Sequence, residues 1–444
     1  GRLDKRRFDA LAGYARRPEI ALIMDELVWF ADRDERVLGM VVNDRIDHDF
    51  GWVVFGRDEI ERYRAIDVNA SHPTYEEAEL ALFAAMRSAI EGPPEFFHQG
   101  DAHRAPIDFF APVVAEEKLN SSFSLLLNDK RYSPARGLIE AMMRSHEDLD
   151  GNFVEKFQTA GFDPQLWELY LWATFIELGY VQISDSPTPD FILRSMRGKL
   201  AIEATSANPP QNGGVPAPKT KAEFVDYLEN YVPIRLGNAL KRKLNHRPHY
   251  WTTPDAEGLP FCLAIQDFHK LGAMRQVVSA ATEYVFGVRH SLVEGRLKVE
   301  RLKRHKYGRK QVQSGFFKLK NAENISAVIV NPQGTLMKFN RIGFVAGFGD
   351  PNIKMTRKGV RRNDANAVAP GPTHFVHDID LAYQEPWVEG MVVLHNPNAR
   401  IPLDPELIPG AAHEFLQEDG RILSLLPEFH PLFSETGISV DQNG

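Results

Sequence analysis

Two acidic residues in the middle of the chain have a spacing that suits metal-assisted hydrolysis. Asp190 follows Pro189 at the start of a predicted strand, and Glu203 stands thirteen residues later, near the end of the next predicted strand. If the two strands form a hairpin, their far ends meet and the two carboxylates become neighbours. Paired carboxylates with a backbone carbonyl beside them suit Mg²⁺, which takes oxygen ligands and keeps several waters. Such an ion can polarise a phosphoryl oxygen and activate water, as phosphodiester hydrolysis requires.

A third acid, Glu168, lies in a predicted helix that is otherwise strongly apolar. Leu171, Trp172 and Phe175 share its helical face, and an acid on an apolar face requires a partner such as a metal ion or its water. Glu177 stands nine residues further, about 180° round the helix, so both acids cannot face one site. We prefer Glu168, because Glu177 occupies the last turn of the predicted helix, where exposed side chains are common.

Holding these acids together requires a sheet covered by helices, and the surrounding sequence predicts one. The predicted elements are, in chain order, a helix at 164–178, strands at 180–184, 190–195 and 199–205, a helix at about 221–245 and a strand at 259–268. Gly179 ends the first helix, and a loop rich in Pro, Gly and Asn spans 206–218. The order is α-β-β-β-α-β, within a chain that we expect to be α/β, or α+β overall.

This order resembles the restriction-endonuclease-like, or PD-(D/E)xK, nuclease superfamily, in which Pro-Asp opens the second strand and Glu-x-Lys closes the third. Pro189-Asp190 matches the first half of the motif. Glu203-Ala204-Thr205 matches the second half, with Thr205 where the family usually has lysine. The resemblance covers about 115 of the 444 residues, and its value lies in the agreement of several short features on one order.

The resemblance implies a restriction-endonuclease-like αβββαβ core with a metal site. Asp190, Glu203 and the Ala204 carbonyl would hold Mg²⁺, for which Mn²⁺ is a possible substitute, and Glu168 would bind a metal water or a second metal. Thr205 would stand in the catalytic lysine's place, although a hydroxyl cannot supply a positive charge to the transition state.

The missing lysine is expected to come from the following helix, as in some members of the superfamily. Leu236, Leu240 and Leu244 form one apolar face of that helix, and Lys243 stands seven residues after Leu236, on the same face. Lys243 is therefore our candidate, with Lys241 second because it points away from this face.

A strongly basic stretch follows the predicted core. Residues 296–310 hold eight Lys and Arg against Glu300 alone. Tyr307, with Phe316 and Phe317 beyond it, places aromatic rings among this charge, which suits phosphate tracking and base stacking. An ordinary solvated face would carry a similar charge run, so both interpretations stay open. The residues predicted to contact nucleic acid are Lys303, Arg304, Lys306, Arg309 and Lys310.

Charge and composition restrict the class of protein. The net charge of −8 argues against a protein that coats nucleic acid over its whole surface. Residues 219–320 nevertheless carry 20 Lys and Arg against 9 Asp and Glu, a net +11, which leaves −19 on the rest of the chain and predicts one confined anion-binding surface. No apolar run approaches the ~20 residues that cross a bilayer, no apolar signal region follows the first charges, and Cys262 has no cysteine partner. We therefore expect a cytoplasmic protein with no membrane partner.

The flanking regions predict an N-terminal domain at 1–150, a core with the basic segment at 151–350 and a C-terminal region at 351–444. Residues 26–68 predict an antiparallel meander, followed by a helix capped by Thr74 with Glu77 three residues on. The remaining predictions are an irregular connection at 92–133, a helix at 272–286, a strand pair at 325–331 and 335–345, and an irregular C-terminal hundred residues packed on the core.

These features lead first to a Mg²⁺-dependent endonuclease acting on DNA or, less favoured, RNA. Its N-terminal domain would sense, regulate or mediate assembly. A homodimer would suit cleavage of both strands, and a role in defence against foreign nucleic acid, with or without a complex partner, follows from the family resemblance only. The second hypothesis is a catalytically inactive nucleic-acid-binding or scaffold protein of a larger complex, which Thr205 favours. A third is a hydrolase of another class around His374, His377 and His395. The sequence contains no P-loop, dinucleotide or Gly-x-Ser-x-Gly signature.

Overall fold

The computed structural model describes residues 1–92, 96–101, 106–146, 148, 151–210, 215–270, 272–362 and 371–441, and these residues form a mixed α/β fold. The strands in this part of the chain are β1 Arg2–Leu3, β2 Met24–Ala31, β3 Val37–Asp44, β4 Phe50–Arg57, β5 Tyr63–His72, β6 Val181–Gln182, β7 Phe191–Ser195, β8 Gly198–Ala207, β9 Phe261–Asp267, β10 Val288–Val293, β11 Arg296–Arg301, β12 Arg304–Tyr307, β13 Lys310–Gln313, β14 Ala327–Val330, β15 Ile353–Arg361, β16 Thr373–Ile379, β17 Val392–His395, β18 Ala412–Leu416, β19 Ile422–Leu425 and β20 Pro431–Val440.

The α-helices in the same residues are α1 Lys5–Ala12, α2 Ile20–Ile23, α3 Tyr75–Glu91, α4 Ser121–Asn128, α5 Ser133–Ser145, α6 Phe153–Gln158, α7 Phe162–Glu177, α8 Lys221–Asp226, α9 Val232–Leu244, α10 Val277–Phe286 and α11 Leu336–Val345. A π-helical turn, Tyr227–Tyr231, joins α8 to α9. None of the helices in the described residues combines the length and apolar character that a membrane span requires.

The N-terminal sheet is the predicted antiparallel meander, with strands in the order β1-β2-β3-β4-β5. Helix α3 packs on one face, where Leu82 and Met86 join Trp52 in a small core. Gly39 permits this close contact, because a Cβ there would lie 2.5 Å from the Met86 sulfur. The predicted cap is present, since the Glu77 amide donates to the Thr74 hydroxyl at 3.2 Å.

The central layer is an eight-stranded sheet in the order β19-β18-β17-β14-β9-β8-β7-β6. Its inner strand β9 is buried at every residue, because helices cover both faces of the sheet. The core cluster on one face includes residues of α7, and the cluster on the other includes residues of α9 and α10. The predicted succession of a helix, three strands, a helix and a strand is therefore present as α7, β6–β8, α8–α9 and β9.

The sequence around the hairpin explains why these elements end where they do. Gly179, with φ +82°, follows α7, and Gly198, with φ +141°, lies in the tight turn from β7 to β8. Thr220 and Glu223 form a reciprocal capping box at the start of α8. Residues 211–214 of the predicted loop lie outside the described residues.

The predicted strand at 335–345 is wrong, because these residues form α11. Leu336, Phe339 and Ile342 recur at a spacing of three and pack on the core beside α7. Helix α11 also crosses α5 so closely that a Cβ on Gly343 would lie 2.2 Å from the Pro134 carbonyl oxygen. The neighbouring prediction was correct, since β14 lies within 325–331.

The irregular C-terminal hundred residues were also predicted wrongly. Strands β17, β18 and β19 extend the central sheet, and β16, β15 and β20 form a separate three-stranded sheet. The sequence conceals β17 because it is four residues long and buried at each one, so no polar alternation marks it. Helix α4 and the start of α5 likewise lie inside the region predicted to be irregular, 92–133. Residues 93–95 and 102–105 of that region, and 363–370 and 442–444 further on, lie outside the described residues.

A buried cluster of charges joins the three-stranded sheet to the core. Arg357 of β15 binds Glu389 at 2.7 Å, and Arg341 of α11 binds Glu385 at 2.6 Å. Lys338 lies 3.4 Å from Glu385, and the side chains of all five residues are 0–7 % exposed. Burial acts to raise the pKa of Glu385, but the three cations hold it well below its usual range.

We expect Arg357→Met to lower the free energy of unfolding by about 3–5 kcal/mol, because it leaves Glu385 and Glu389 buried with too few cations. Denaturant unfolding of the full chain measures this. Lys354→Met is the matched control, because Lys354 lies on the same strand in an exposed pair with Asp441 and should change stability little. Equal effects of the two substitutions would contradict a structural role for the cluster.

Candidate active site

The hairpin of β7 and β8 brings Asp190 and Glu203 together, as predicted. Phe191 pairs with Ile202, so Asp190 lies just beyond the paired residues, beside Glu203 and Ala204. The Asp190 amide donates to Glu203 Oε2 at 3.2 Å, and the Ala204 amide donates to Asp190 Oδ2 at 2.7 Å. The two carboxylates are therefore held at the open end of the hairpin, while their role as metal ligands remains a prediction.

Lys243, in the last turn of α9, reaches these acids from the neighbouring helix. Its ammonium group donates to Glu203 Oε1, and its side chain is 21 % exposed against 5 % for Glu203. The ammonium also lies 5.4 Å from the centre of the Tyr250 ring. The apolar face of α9 packs on the sheet, and this packing directs Lys243 to Glu203 as the helical spacing predicted.

Glu168 approaches the same acids from α7, which lies on the other face of the sheet. Its carboxylate accepts a hydrogen bond from Gln165 at 3.0 Å, and its charge acts on Asp190. Glu177 faces elsewhere, since its carboxylate accepts a hydrogen bond from the Trp387 amide at 2.6 Å. The choice of Glu168 over Glu177 therefore agrees with the positions of the two side chains.

The site carries more negative charge than its one lysine balances. Burial raises the pKa of Asp190 well above its usual value, and the charges of Glu203 and Glu168 raise it further. Lys243 and the Ala204 amide act in the opposite direction without cancelling these effects. A bound cation among the three carboxylates would relieve this repulsion.

The oxygen donors at the end of the hairpin fit a hard divalent cation. In an extended strand the N–H and C=O of one residue point to the same side, so the Ala204 carbonyl faces the side on which its amide binds Asp190. No group of three or more His, Cys, Asp or Glu side chains with metal-binding geometry is present in the described part of the chain. Magnesium does not need such a group, because it is usually held by one or two carboxylates and retains water.

Thr205 lies on the same strand face as Glu203, beneath α9. The residue is 7 % exposed, and its hydroxyl oxygen has no hydrogen-bond partner within the described residues. An unsatisfied buried hydroxyl costs free energy in a folded protein. Thr205 is therefore available for a water or ligand in the site, although it cannot replace the charge of a lysine.

A cavity of about 400 Å³ opens beside the acids, and part of its wall comes from residues that the sequence did not indicate. Glu168, Asp190 and Lys243 line one end of it. Tyr14 and His146, from the N-terminal 150 residues, also line it and contact Trp172 of α7. They stand 176 and 44 residues before Asp190, and nothing in the local sequence signals this contact.

No family model matches the chain, and no match was found among curated proteins or solved structures. The resemblance to the PD-(D/E)xK superfamily therefore depends on the motif residues and on the order of elements in this chain.

The basic residues predicted to contact nucleic acid lie on the hairpin of β12 and β13. Lys303, Arg304, Lys306, Arg309 and Lys310 are all exposed. The predicted aromatic partners differ, because Phe316 and Phe317 are buried and cannot stack on bases. Tyr307 is half-buried and packs against Tyr231 of the π-helical turn at 5.3 Å. The hairpin therefore presents charge without an exposed aromatic platform.

The histidines of the third hypothesis belong to two different sheets. His395, on β17, is buried and hydrogen-bonds His413 of β18 at 2.8 Å. Burial, with a smaller contribution from the charge of His413, lowers the pKa of His395 to about 3. His374 and His377 lie on β16, in the three-stranded sheet. The structure therefore pairs His395 with His413 and gives no hydrogen bond between His395 and either histidine of β16 within the described residues.

A second chain of hydrogen-bonded polar side chains, which the sequence did not indicate, lies at the end of β9. Asp267 Oδ1 binds His269 Nδ1 at 2.6 Å, and the other ring nitrogen of His269 binds the Tyr227 hydroxyl. All three residues are buried. The sequence feature that could have indicated it is an acid and a histidine two residues apart, Asp267 and His269, where a buried strand ends. Asp267 lies four residues beyond the partner of Glu203 on β9, or about 13 Å along the strand, so it does not join the first site.

We expect Asp190→Asn to be at least as thermally stable as the wild-type chain without metal, because it removes a carboxylate that its neighbours repel. The same substitution should abolish stabilisation by Mn²⁺, which for the wild type would reach about 2.7 kcal/mol at a hundred times Kd. Thermal unfolding with and without Mn²⁺ measures both effects. Asp185→Asn, which changes another acid on the cavity wall, should keep the metal response. A clearly less stable metal-free Asp190→Asn would identify a structural carboxylate instead.

Proposed function

We propose that this protein is a Mg²⁺-dependent nuclease that hydrolyses phosphodiester bonds of DNA or, less favoured, of RNA. The observation that carries the proposal is the meeting of Asp190, Glu203 and Lys243 at the open end of one hairpin. Two carboxylates and a lysine in contact are what metal-assisted attack on a phosphate diester needs.

The arrangement of elements supports the resemblance to PD-(D/E)xK nucleases. The acids lie at the end of the β7–β8 hairpin, with Glu168 supplied by the preceding helix. Lys243 comes from the following helix and takes the place that Thr205 leaves without charge. On this proposal the lysine comes from α9 instead of from the third position of the motif on β8, but its ammonium group still lies beside Glu203.

Each residue has a defined task in the proposed reaction. Asp190, Glu203 and the Ala204 carbonyl would hold the metal ion, which supplies polarisation of the phosphoryl oxygen and activation of water when bound. Lys243 would hold the attacking water and offset charge that develops on the phosphate. The water oxygen bonds to phosphorus, the bond to one bridging oxygen breaks, and the departing oxygen takes up a proton.

The exposed β12–β13 hairpin would supply contacts to the phosphate backbone. Its five cations fall in the stretch of the chain with a net charge of +11, whereas the rest of the protein is acidic. Contacts of this kind give affinity without reading sequence, and they weaken as salt rises. A homodimer, a complex partner, a cytoplasmic site of action and a role in defence belong to the same proposal and follow from the family resemblance and the composition alone.

One observation favours the alternative of a binding or scaffold protein without catalysis. Both carboxylate oxygens of Glu203 are engaged, one by Lys243 and the other by the Asp190 amide. An ion pair of this kind could occupy the place of a metal permanently. Failure of the wild-type chain to bind Mg²⁺ or Mn²⁺ would therefore favour the alternative.

We expect the purified chain to cleave DNA in Mg²⁺ or Mn²⁺ and not in a chelator. Asp190→Ala and Glu203→Ala should abolish the activity, and Lys243→Met should lower the rate about 10²–10³-fold, because charge stabilisation at the phosphate is lost. Plasmid, linear duplex, single-stranded DNA and RNA are the substrates to compare.

Lys241→Met is the matched control, because it removes a lysine from the same helical turn without changing the contact to Glu203. Cleavage that survives both alanine substitutions would assign the activity to a contaminant or to another site. Absence of cleavage in every metal and substrate, together with absence of metal binding, would overturn the proposal.

A further inference from the structure

The cavity beside the acids continues along the open face of α7. Four residues of α7 line it at helical spacing, namely Gln165, Glu168, Trp172 and Ile176, of which Gln165 is buried and the other three form an open stripe. Most of the other side chains of α7 are buried in the core. The open stripe therefore leads away from Asp190 as a short groove, with Trp172 one helical turn beyond Glu168.

The walls of this groove are close to Trp172 on both sides. Tyr14 stacks on Trp172 with ring centres 4.8 Å apart and planes 22° apart, and His146 meets it edge-on at 5.4 Å. Ser184 and Pro187, which precede β7, form the opposite wall. Trp172 itself remains half-buried and lines the cavity.

The groove has the dimensions of a nucleotide and not of a duplex. Residues four apart on a helix have Cβ atoms about 5–6 Å apart, which is also the scale of the separation between a phosphate and the base of one nucleotide. A phosphate at Asp190 and Glu168 would therefore place its base near Trp172. The cavity volume of about 400 Å³ falls in the range of about 300–1,000 Å³ for pockets that hold one small molecule, so it suits a single nucleotide unit and not a length of double helix.

We propose that the site acts on unpaired nucleotides, in single-stranded DNA or at frayed ends, with the base beside the scissile phosphate stacked on the face of Trp172 opposite Tyr14. The inference rests on the proposed nuclease function and names its substrate class. A paired base would first have to leave its stack at a cost of a few kcal/mol. The N-terminal region then has a task in specificity, because Tyr14 and His146 close the groove on one side.

The groove is lined by charges of both signs, so charge alone would not hold a nucleotide in it. Arg17 and Lys156 line it, but so do Asp148 and Asp185, in addition to the catalytic acids. Stacking on an aromatic ring contributes affinity that does not require positive charge. Binding through Trp172 should therefore depend weakly on salt, whereas binding through the β12–β13 hairpin should depend on it strongly.

The first test measures binding without cleavage, in an Asp190→Ala background and a chelator. Trp172→Ala should weaken binding of a short single-stranded oligonucleotide about ten- to one-hundred-fold at every salt concentration. Trp172→Phe should restore most of the affinity, because it keeps an aromatic ring. Lys306→Ala, on the basic hairpin, is the control and should weaken binding only at low salt. Unchanged affinity in Trp172→Ala would overturn the inference.

The second test compares cleavage of a closed single-stranded circle with that of a closed relaxed duplex circle, and includes a single-stranded RNA. Neither circle has ends, so only pairing distinguishes them. The inference expects the single-stranded circle to be cut at least tenfold faster, and Trp172→Ala to remove most of this preference. Equal rates on both circles would overturn the substrate class while leaving the nuclease intact. Stacking on Trp172 without any cleavage would keep the subsite and overturn the nuclease.

Discussion

The pairing register of β7 with β8 is the constraint on which the candidate site depends. Because Phe191 pairs with Ile202, Asp190 meets the Ala204 amide and Glu203 points toward α9. A slip of one residue would turn Glu203 to the opposite face of the sheet, into the core under α7. The parallel pairing of Glu203 with Leu263 on β9 holds β8 from its other edge. Backbone pairing of β8 with β7 on one side and with β9 on the other therefore positions the acids, independently of contacts between side chains.

That pairing depends in turn on residues far along the chain. β9 pairs with β14, β14 with β17 and β17 with β18, so the sheet behind the acids is completed by the C-terminal hundred residues. Arg357 and Arg341 then connect the three-stranded sheet to this layer through Glu385 and Glu389. The hairpin with its acids thus lies near the β6 edge of a larger sheet, whose other half is built from β14 and the C-terminal strands β17 to β19.

The parts of the site that lie close in sequence were predictable, and those built from distant segments were not. Two strands with a tight turn between them place Asp190 beside Glu203, and this argument needs only local periodicity. The choice of Lys243 needed two steps, because the family resemblance first indicates the following helix and the repeat of Leu236, Leu240 and Leu244 then selects the residue. Tyr14 reaches Trp172 through packing of the N-terminal region on α7, which no periodicity reports. Strand β17 and helix α11 were missed for a related reason. Their type is decided by the layer they complete, through pairing with β14 and packing on α5.

The two clusters of buried charge, around Arg357 and around Asp190, differ in whether cations or carboxylates are in excess. Around Arg357 three buried cations surround two buried carboxylates, so each carboxylate has a cation in contact with it. Around Asp190 three carboxylates share one lysine, beside a cavity and the buried Thr205 hydroxyl, which has no hydrogen-bond partner among the described residues. An arrangement that only stabilised the fold would not retain such repulsion, because apolar residues of the same volume would serve as well. The excess negative charge is reasonable in a site whose charge is completed by a cation and a phosphate. For that reason our proposal assigns the chemistry to Asp190 and its neighbours and not to the cluster around Arg357.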